Sequence, residues 1–336
     1  MNVLSLFDGI SCGQLALRRA GISVDHYYAS ETDPHAIKIT QKHFPSTTQL
    51  GDVEDWRDWD IDWSEIDLLV GGSPCQSFSI AGDRLNFDDP RGKLFFVFVD
   101  ILNHIRKHNP DVKFLLENVK MKQEYLDIIT RYLEVSPVKI NSSLVSAQHR
   151  ERMYWANWEF TQPLDQGILL EDVLGEEFHP VSYKGRLYMD RTVKGGRDHW
   201  DFKHHSDTDD GKSHAVVANF YKGVPYNVLI DRRYASCGMW SCDFQDNKEM
   251  CVDCFENDCY QGEQYPTTVV RHFTPEECER LQTLPTGYTQ GTSKTNRLKC
   301  IGNGWTVNVI AHILEGLKVA HGGAHNVHTV ERKPNV

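Results

Sequence analysis

The sequence predicts a doubly wound α/β fold with a smaller region inserted late in the chain. Three observations carry this. Short apolar runs alternate with helical stretches through the first half of the chain, the pattern of parallel βαβ units. The first run, Val3 to Leu6, gives way to a glycine turn, Phe7-Asp8-Gly9-Ile10-Ser11-Cys12-Gly13. A helix from Gln14 to Ala20 follows and ends at Gly21. A later run, Ile66 to Val70, stops at Gly71-Gly72-Ser73-Pro74-Cys75, where two glycines and a proline break regular structure.

The elements follow in order. The glycine turn lets backbone approach a ligand closely, although it is not a GxGxxG pattern and has no phosphate-binding Lys. His26 to Ser30 is a second strand, and Glu31 stands at its end, where an acid past a glycine turn is placed to bind ribose hydroxyls. Asp33-Pro34 opens a helix with Pro in its first turn. Leu50-Gly51-Asp52-Val53 reads as a third strand end, with Asp52 able to accept from an adenine amino group. The Cys75 strand is next, and its thiol falls on the sheet edge where chemistry collects in open α/β sheets. The loop from Ala81 to Gly92 suits a lid and precedes a helix over Lys93 to His108. Val112 to Leu116 is a strand with Glu117-Asn118-Val119 at its end, so a carboxyl and the thiol share one edge. After a strand region from Val138 to Leu144, Arg150 and Arg152 alternate. On extended chain they face one way and suit an anion or a base edge. Thr274-Pro275 opens a helix toward Leu284, and Leu298 to Trp305 leads into a final helix from Val307 to Val319.

Composition narrows the class. A chain of 336 residues suits two lobes. A net charge of −11 argues against a generally basic nucleic-acid binder and leaves room for a local basic patch. Lys184, Arg186, Arg191, Lys194, Arg197 and Lys203 outnumber Asp190, Asp198 and Asp201 and are the best candidates for phosphate contact. No apolar run reaches membrane-spanning length, and the first residues enter a strand pattern without a basic leader, so a cytoplasmic setting is expected. There the nine cysteines need not pair. Cys251-x-x-Cys254 has zinc-knuckle spacing. With Cys237 and Cys242, or with Cys259 as an alternative ligand, it suggests a structural zinc.

Five segments together carry a resemblance: Phe7-Asp8-Gly9-x-x-x-Gly13, Gly72-Ser73-Pro74-Cys75-Gln76-Ser77-Phe78-Ser79, Glu117-Asn118-Val119, Gln148-x-Arg150-x-Arg152 and Gly302-Asn303-Gly304. In order and spacing the chain resembles the C5-cytosine DNA methyltransferase family, over about residues 1–158 and 271–318. Some of the wording is similar to animal de novo DNA methyltransferases, while the length resembles bacterial or viral stand-alone enzymes.

The resemblance implies a Rossmann-like methyltransferase fold, S-adenosylmethionine as methyl donor, and double-stranded DNA as partner. It makes Cys75 the nucleophile that adds to carbon 6 of a flipped-out cytosine, and Glu117 the acid that meets ring nitrogen 3. Arg152 contacts the base carbonyl, with Arg150 a neighbour in the same pocket. Phe7 stacks on the cofactor adenine, Glu31 holds its ribose, Asp52 and Val53 meet the adenine edge, and Asn303 and Gly304 touch the methionine part. The turn residues Asp8, Gly9, Ile10, Ser11, Cys12 and Gly13, with Thr32, Ser73, Pro74 and Trp305, complete that site. The implied division is a catalytic lobe at 1–158 and 296–320, a target-recognition lobe at 159–295 and a tail at 321–336. A monomer acting in restriction-modification is the expected form. A tRNA cytosine methyltransferase of the same family and a non-catalytic DNA-binding relative are the alternatives.

Overall fold

The structure is a computed structural model and describes residues 1–73, 93–174, 212–218, 228–230 and 270–321. Seven strands form one sheet. β1 (Asn2–Leu6), β2 (His26–Ser30), β3 (Thr48–Gly51), β4 (Leu68–Gly71) and β5 (Lys113–Val119) run parallel. Between them come α1 (Cys12–Arg19), α2 (Pro34–His43) and α3 (Lys93–His108). Beyond β5 lie α4 (Gln123–Leu133), β6 (Val138–Asn141), the two-residue β7 (Gln148–His149) and β8 (Glu151–Ala156). The strand order is β3-β2-β1-β4-β5-β8-β6, and β8 is antiparallel to both neighbours. The order reverses direction between β1 and β4, the position outside whose carboxyl ends open α/β sheets take their ligands.

Alternation along the strands explains the two packed layers. Val3, Leu68, Val70 and Leu115 face one hydrophobic cluster, and Leu4, Leu6, Leu69, Phe114 and Leu116 face another. Residues of α3, α4 and two short 3-10 turns, including Trp56, Phe98 and Ile129, fill the second cluster. The first is filled by α1 and α2 and, from far along the chain, by α6 (Pro275–Leu281), α7 (Lys294–Asn303) and α8 (Val307–His321). The short α5 (Leu170–Val173) lies between these halves in sequence. Phe273, Cys278, Leu281, Leu284 and Tyr288 lie in the same cluster as Val3 and Ile10, so residues 273–292 pack with the sheet lobe.

Local chemistry sets the ends. Asp33 caps α2 by accepting from the His35 N–H, with Pro34 in the first turn. Thr274 and Glu277 form a reciprocal capping box at α6. β9 (Ser213–His214) pairs with β7, and β10 (Val228–Ile230) pairs antiparallel with β11 (Val270–His272). Among the described residues, no helix is long and apolar enough to cross a membrane.

Candidate active site

Three strand ends build the crevice. The turn after β1 is wound through left-handed residues, Phe7 at φ 58°, Gly9 at φ 60° and Ser11 at φ 55°. Left-handed conformations at Phe and Ser are costly and persist only where neighbours impose them. Here the neighbours are visible. The Gly9 N–H donates to Glu31 Oε2 at 2.8 Å, while Glu31 Oε1 accepts from the N–H groups of Thr32 and Asp33. The Asp8 carboxylate accepts from the Tyr27 hydroxyl at 2.7 Å and from Ser11 Oγ. Thr40 Oγ1 reaches the Gly9 carbonyl. Burial pushes the Asp8 carboxyl up to about 6, against the lowering effect of bonds from Ser11, Ser5 and Tyr27.

A methyl group built on Gly9 or on Gly51 would meet nothing within 4 Å, so the crevice is open beside both turns. Asp52 is exposed at its rim and caps a short 3-10 turn through Oδ1. The Val53 side chain is buried with Trp56, which leaves its backbone for any ligand contact. Phe7 is partly buried against that cluster, and Thr32 is exposed. Ile10 is buried, and its carbonyl accepts from Tyr288 Oη. Two carboxylates, an aromatic face and open space above two glycines fit a nucleoside with free ribose hydroxyls.

The other half of the crevice is built on β4 and β5. The sequence places Glu117 at a strand end, whereas β5 continues to Val119. The extension comes from antiparallel pairing with β8, which sets Glu117 opposite Tyr154 and Val119 opposite Arg152. Glu117 and Arg152 are therefore diagonal neighbours on one face, within reach of long side chains. Arg152 Nε sits 2.9 Å from Glu117 Oε1. The Trp305 indole N–H donates to Glu117 Oε2 at 3.2 Å. Asn118, on the opposite side of the strand, donates to Ser73 Oγ at 3.0 Å and to the Ser73 carbonyl at 3.4 Å. This fastens β4 to β5 immediately before Pro74 and Cys75 in the chain.

The two arginines have different partners. Arg150 is buried in the break between β7 and β8. Its guanidinium donates to the carbonyls of Val216 (2.7 Å), Gly304 (3.0 Å) and Gly302 (3.4 Å). Burial, helped by the like charge of Arg152, pulls it down to about 10, still cationic at neutral pH. Gln148, Gln282, Thr306 and Ser142 extend this buried polar hub. The Glu151 side chain pairs with Lys120 and Lys139, while its backbone carbonyl accepts from Arg152 Nη1 at 2.8 Å. At α7, Asn303 is exposed, whereas the Gly304 N–H and carbonyl are both bonded within the protein. Gly13 lies against the Tyr27 hydroxyl and the Trp305 ring.

Cys12, Cys278 and Cys300 are buried free thiols. Burial pushes Cys12 and Cys300 up to about 12 and Cys278 well above its ordinary value, which disqualifies them as nucleophiles at neutral pH. Pro74, Cys75, the 81–92 loop, the basic residues from Lys184 to Lys203 and the five cysteines Cys237, Cys242, Cys251, Cys254 and Cys259 lie outside the described residues. Among the described residues, no group of three or more His, Cys, Asp and Glu side chains is placed to hold a metal ion. Sequence reasoning gave Tyr27, Gly72 and Asn118 no part in the site. The Gly-Gly pair ahead of Ser-Pro-Cys was the available signal for a crowded strand end.

The chain is similar to known proteins over most of its length. The family model described as C-5 cytosine-specific DNA methylase matches residues 1–319. The chain is 28% identical over 334 residues to the Type II methyltransferase M.HpaII of Haemophilus parainfluenzae, covering 91% of this chain and 86% of the relative. It is 27% identical over 346 residues to the Type II methyltransferase M.NlaX of Neisseria lactamica, covering 95% and 96%. The Entamoeba histolytica methyltransferase EhMeth aligns with a TM-score of 0.67 at 16% identity, covering 96% of this chain and 99% of the other. The S. pombe Dnmt2 methyltransferase aligns at 0.64 and 19%, covering 96% and 100%. At that identity, the structural likeness speaks for a shared fold.

Proposed function

Since this chain belongs to the C-5 cytosine-specific DNA methylase family, we propose that it transfers a methyl group from S-adenosylmethionine to carbon 5 of cytosine in double-stranded DNA, and that Cys75 is the nucleophile. The observation carrying this reading is the Glu117 carboxylate, bonded on both oxygens and set beside the anchored Ser73 that precedes Pro74-Cys75.

The target carbon is inaccessible in a stacked duplex, so the cytosine is extruded into the crevice. The Cys75 thiolate forms a bond to carbon 6, and the ring becomes an enamine with electron density at carbon 5. Glu117 delivers a proton to ring nitrogen 3, where negative charge develops, and Arg152 meets the base carbonyl. S-adenosylmethionine would supply the electrophilic methyl group to carbon 5, its sulfonium keeping the electrons of the broken bond and leaving as the thioether S-adenosylhomocysteine. Loss of the carbon 5 proton and of the Cys75–carbon 6 bond then restores the aromatic ring and the thiolate.

The turn after β1, Glu31, Asp52 and Phe7 hold the donor's nucleoside in this reading, with Asn303 near its amino-acid end. Because residues 273–292 pack with the sheet lobe, target recognition falls to the segment between about 175 and 270, where the basic residues lie. Type II methyltransferases among the relatives favour a restriction-modification role.

The test uses purified protein, labelled S-adenosylmethionine and a duplex carrying 5-fluorocytosine. Wild type is expected to label duplex DNA and to form a denaturation-resistant complex with the fluorinated duplex, and Cys75→Ser is expected to do neither. Full transfer by Cys75→Ser, or transfer to tRNA in place of DNA in a parallel incubation, overturns the proposal.

A further inference from the structure

We infer that Trp305 is a positioning residue for this reaction: its indole N–H, admitted by the missing side chain of Gly72, fixes the Glu117 carboxylate in the orientation that the cytosine meets. The inference rests on the function proposed above.

A Glu carboxylate held at one oxygen still pivots about its last torsion, which is broad and roughly two-fold. Arg152 alone leaves Glu117 that freedom. The Trp305 bond to Oε2, at 3.2 Å, removes it, because the two donors approach different oxygens from different elements, β8 and the turn after α7. Trp305 and Glu117 are both buried, so each group also spares the other an unpaired polar atom away from water.

Gly72 carries the second, independent observation. A methyl group on its Cα would stand 2.8 Å from Trp305 Nε1 and 3.1 Å from Glu117 Oε2. Glycine is therefore required at 72 for space, directly over the bond between indole and carboxylate. The indole ring also lies against Gly13, where a methyl group would stand 3.4 Å from Trp305 Cζ3, so the start of α1 backs the ring. A misplacement of about 1 Å at a reacting group costs on the order of a hundredfold in rate, which makes such fastening consequential.

The experiment uses the full chain labelled with 15N-tryptophan. Trp305→Phe keeps an aromatic ring, deletes the N–H, and identifies the Trp305 indole signal by its disappearance. Glu117→Gln, in a protein whose other indole signals are unchanged, is expected to shift that signal selectively, and Gly72→Ala is expected to shift it by displacing the ring. In turnover, Trp305→Phe should lower kcat on duplex DNA by on the order of tenfold, the scale of one hydrogen bond to a charged group. The KM for S-adenosylmethionine should change less than about threefold, as expected when the ring is kept and the effect falls on the chemical step. An indole signal indifferent to Glu117→Gln, or an unchanged kcat in Trp305→Phe, overturns the inference. A wild-type chain that transfers no methyl group to DNA counts against the proposed function, whereas an unmoved indole signal counts against the contact itself.

Discussion

Arg152 Nε and Glu117 Oε1 lie 2.9 Å apart across two antiparallel strands, with the side chains only 15% and 11% exposed. Removing Arg152 leaves Glu117 with the Trp305 bond alone, and changing Glu117 takes away the carboxylate that Arg152 faces. Arg152→Ala is expected to lower kcat/KM by about 10²–10³, the scale of losing one preorganised donor. Glu117→Gln should fall similarly. Melting curves on the same samples separate this from unfolding, since breaking a buried pair also costs stability, by about 3 kcal/mol or more. Activity within threefold of wild type in Arg152→Ala would count against a role at the base.

Glu31 does two jobs at once. Its carboxylate ties the Gly9 N–H and the start of α2, and in the proposed function it also accepts from the donor's ribose. Glu31→Ala is expected to weaken S-adenosylmethionine binding by on the order of tenfold or more, measured by calorimetry. Glu31→Gln should not recover wild-type affinity, because its amide N–H₂ would face backbone N–H donors.

Asp8 gives a signed pH dependence. Its folded-state carboxyl is raised from 3.8 to about 6 by burial, so the native state holds a proton that the unfolded chain has already lost. Its stabilising contribution is complete below about pH 4, falls as pH rises, and is gone above about pH 6. Asp8→Asn is expected to flatten this part of the curve, so the difference in Tm between pH 4.5 and pH 7.5 should shrink relative to wild type. A curve as steep as wild type would sink the assignment.

Arg150 is structural in its contacts. Replacing it with Met removes the guanidinium donor from the carbonyls of Val216 and Gly302 and leaves Gly304 with Gln282 Nε2 alone. A loss of about 3 kcal/mol or more in urea unfolding is expected. Arg150→Lys should recover only part, because an ammonium lacks the planar fork that spans three acceptors.

Much of the fold was readable from residues alone. Strands such as Val3 to Leu6 and Ile66 to Val70 are buried on both faces and read as plain apolar runs. The Asp33-Pro34 start of α2 announces itself through local chemistry. What could not be read depends on partners far along the chain. Glu117 sits inside β5 because β8 returns to pair with it. Arg150 and Arg152, two positions apart and expected to act alike, diverge because a strand break between β7 and β8 turns one toward buried carbonyls. The bond from Trp305 to Glu117 spans 188 residues, and no local pattern encodes it.

The docking of α8 on α1 has a consequence for synthesis. Arg19 bonds Asn308, 289 positions away, and Leu15, Ala16 and Leu17 share a cluster with Val309, Ile310 and Ile313. On the ribosome, the apolar side of α1 waits for this partner until a further 289 positions have been made. The nascent chain therefore carries an apolar surface without its final cover through that interval, which makes the seam between α1 and α8 a natural place for reassembly from two separately expressed halves.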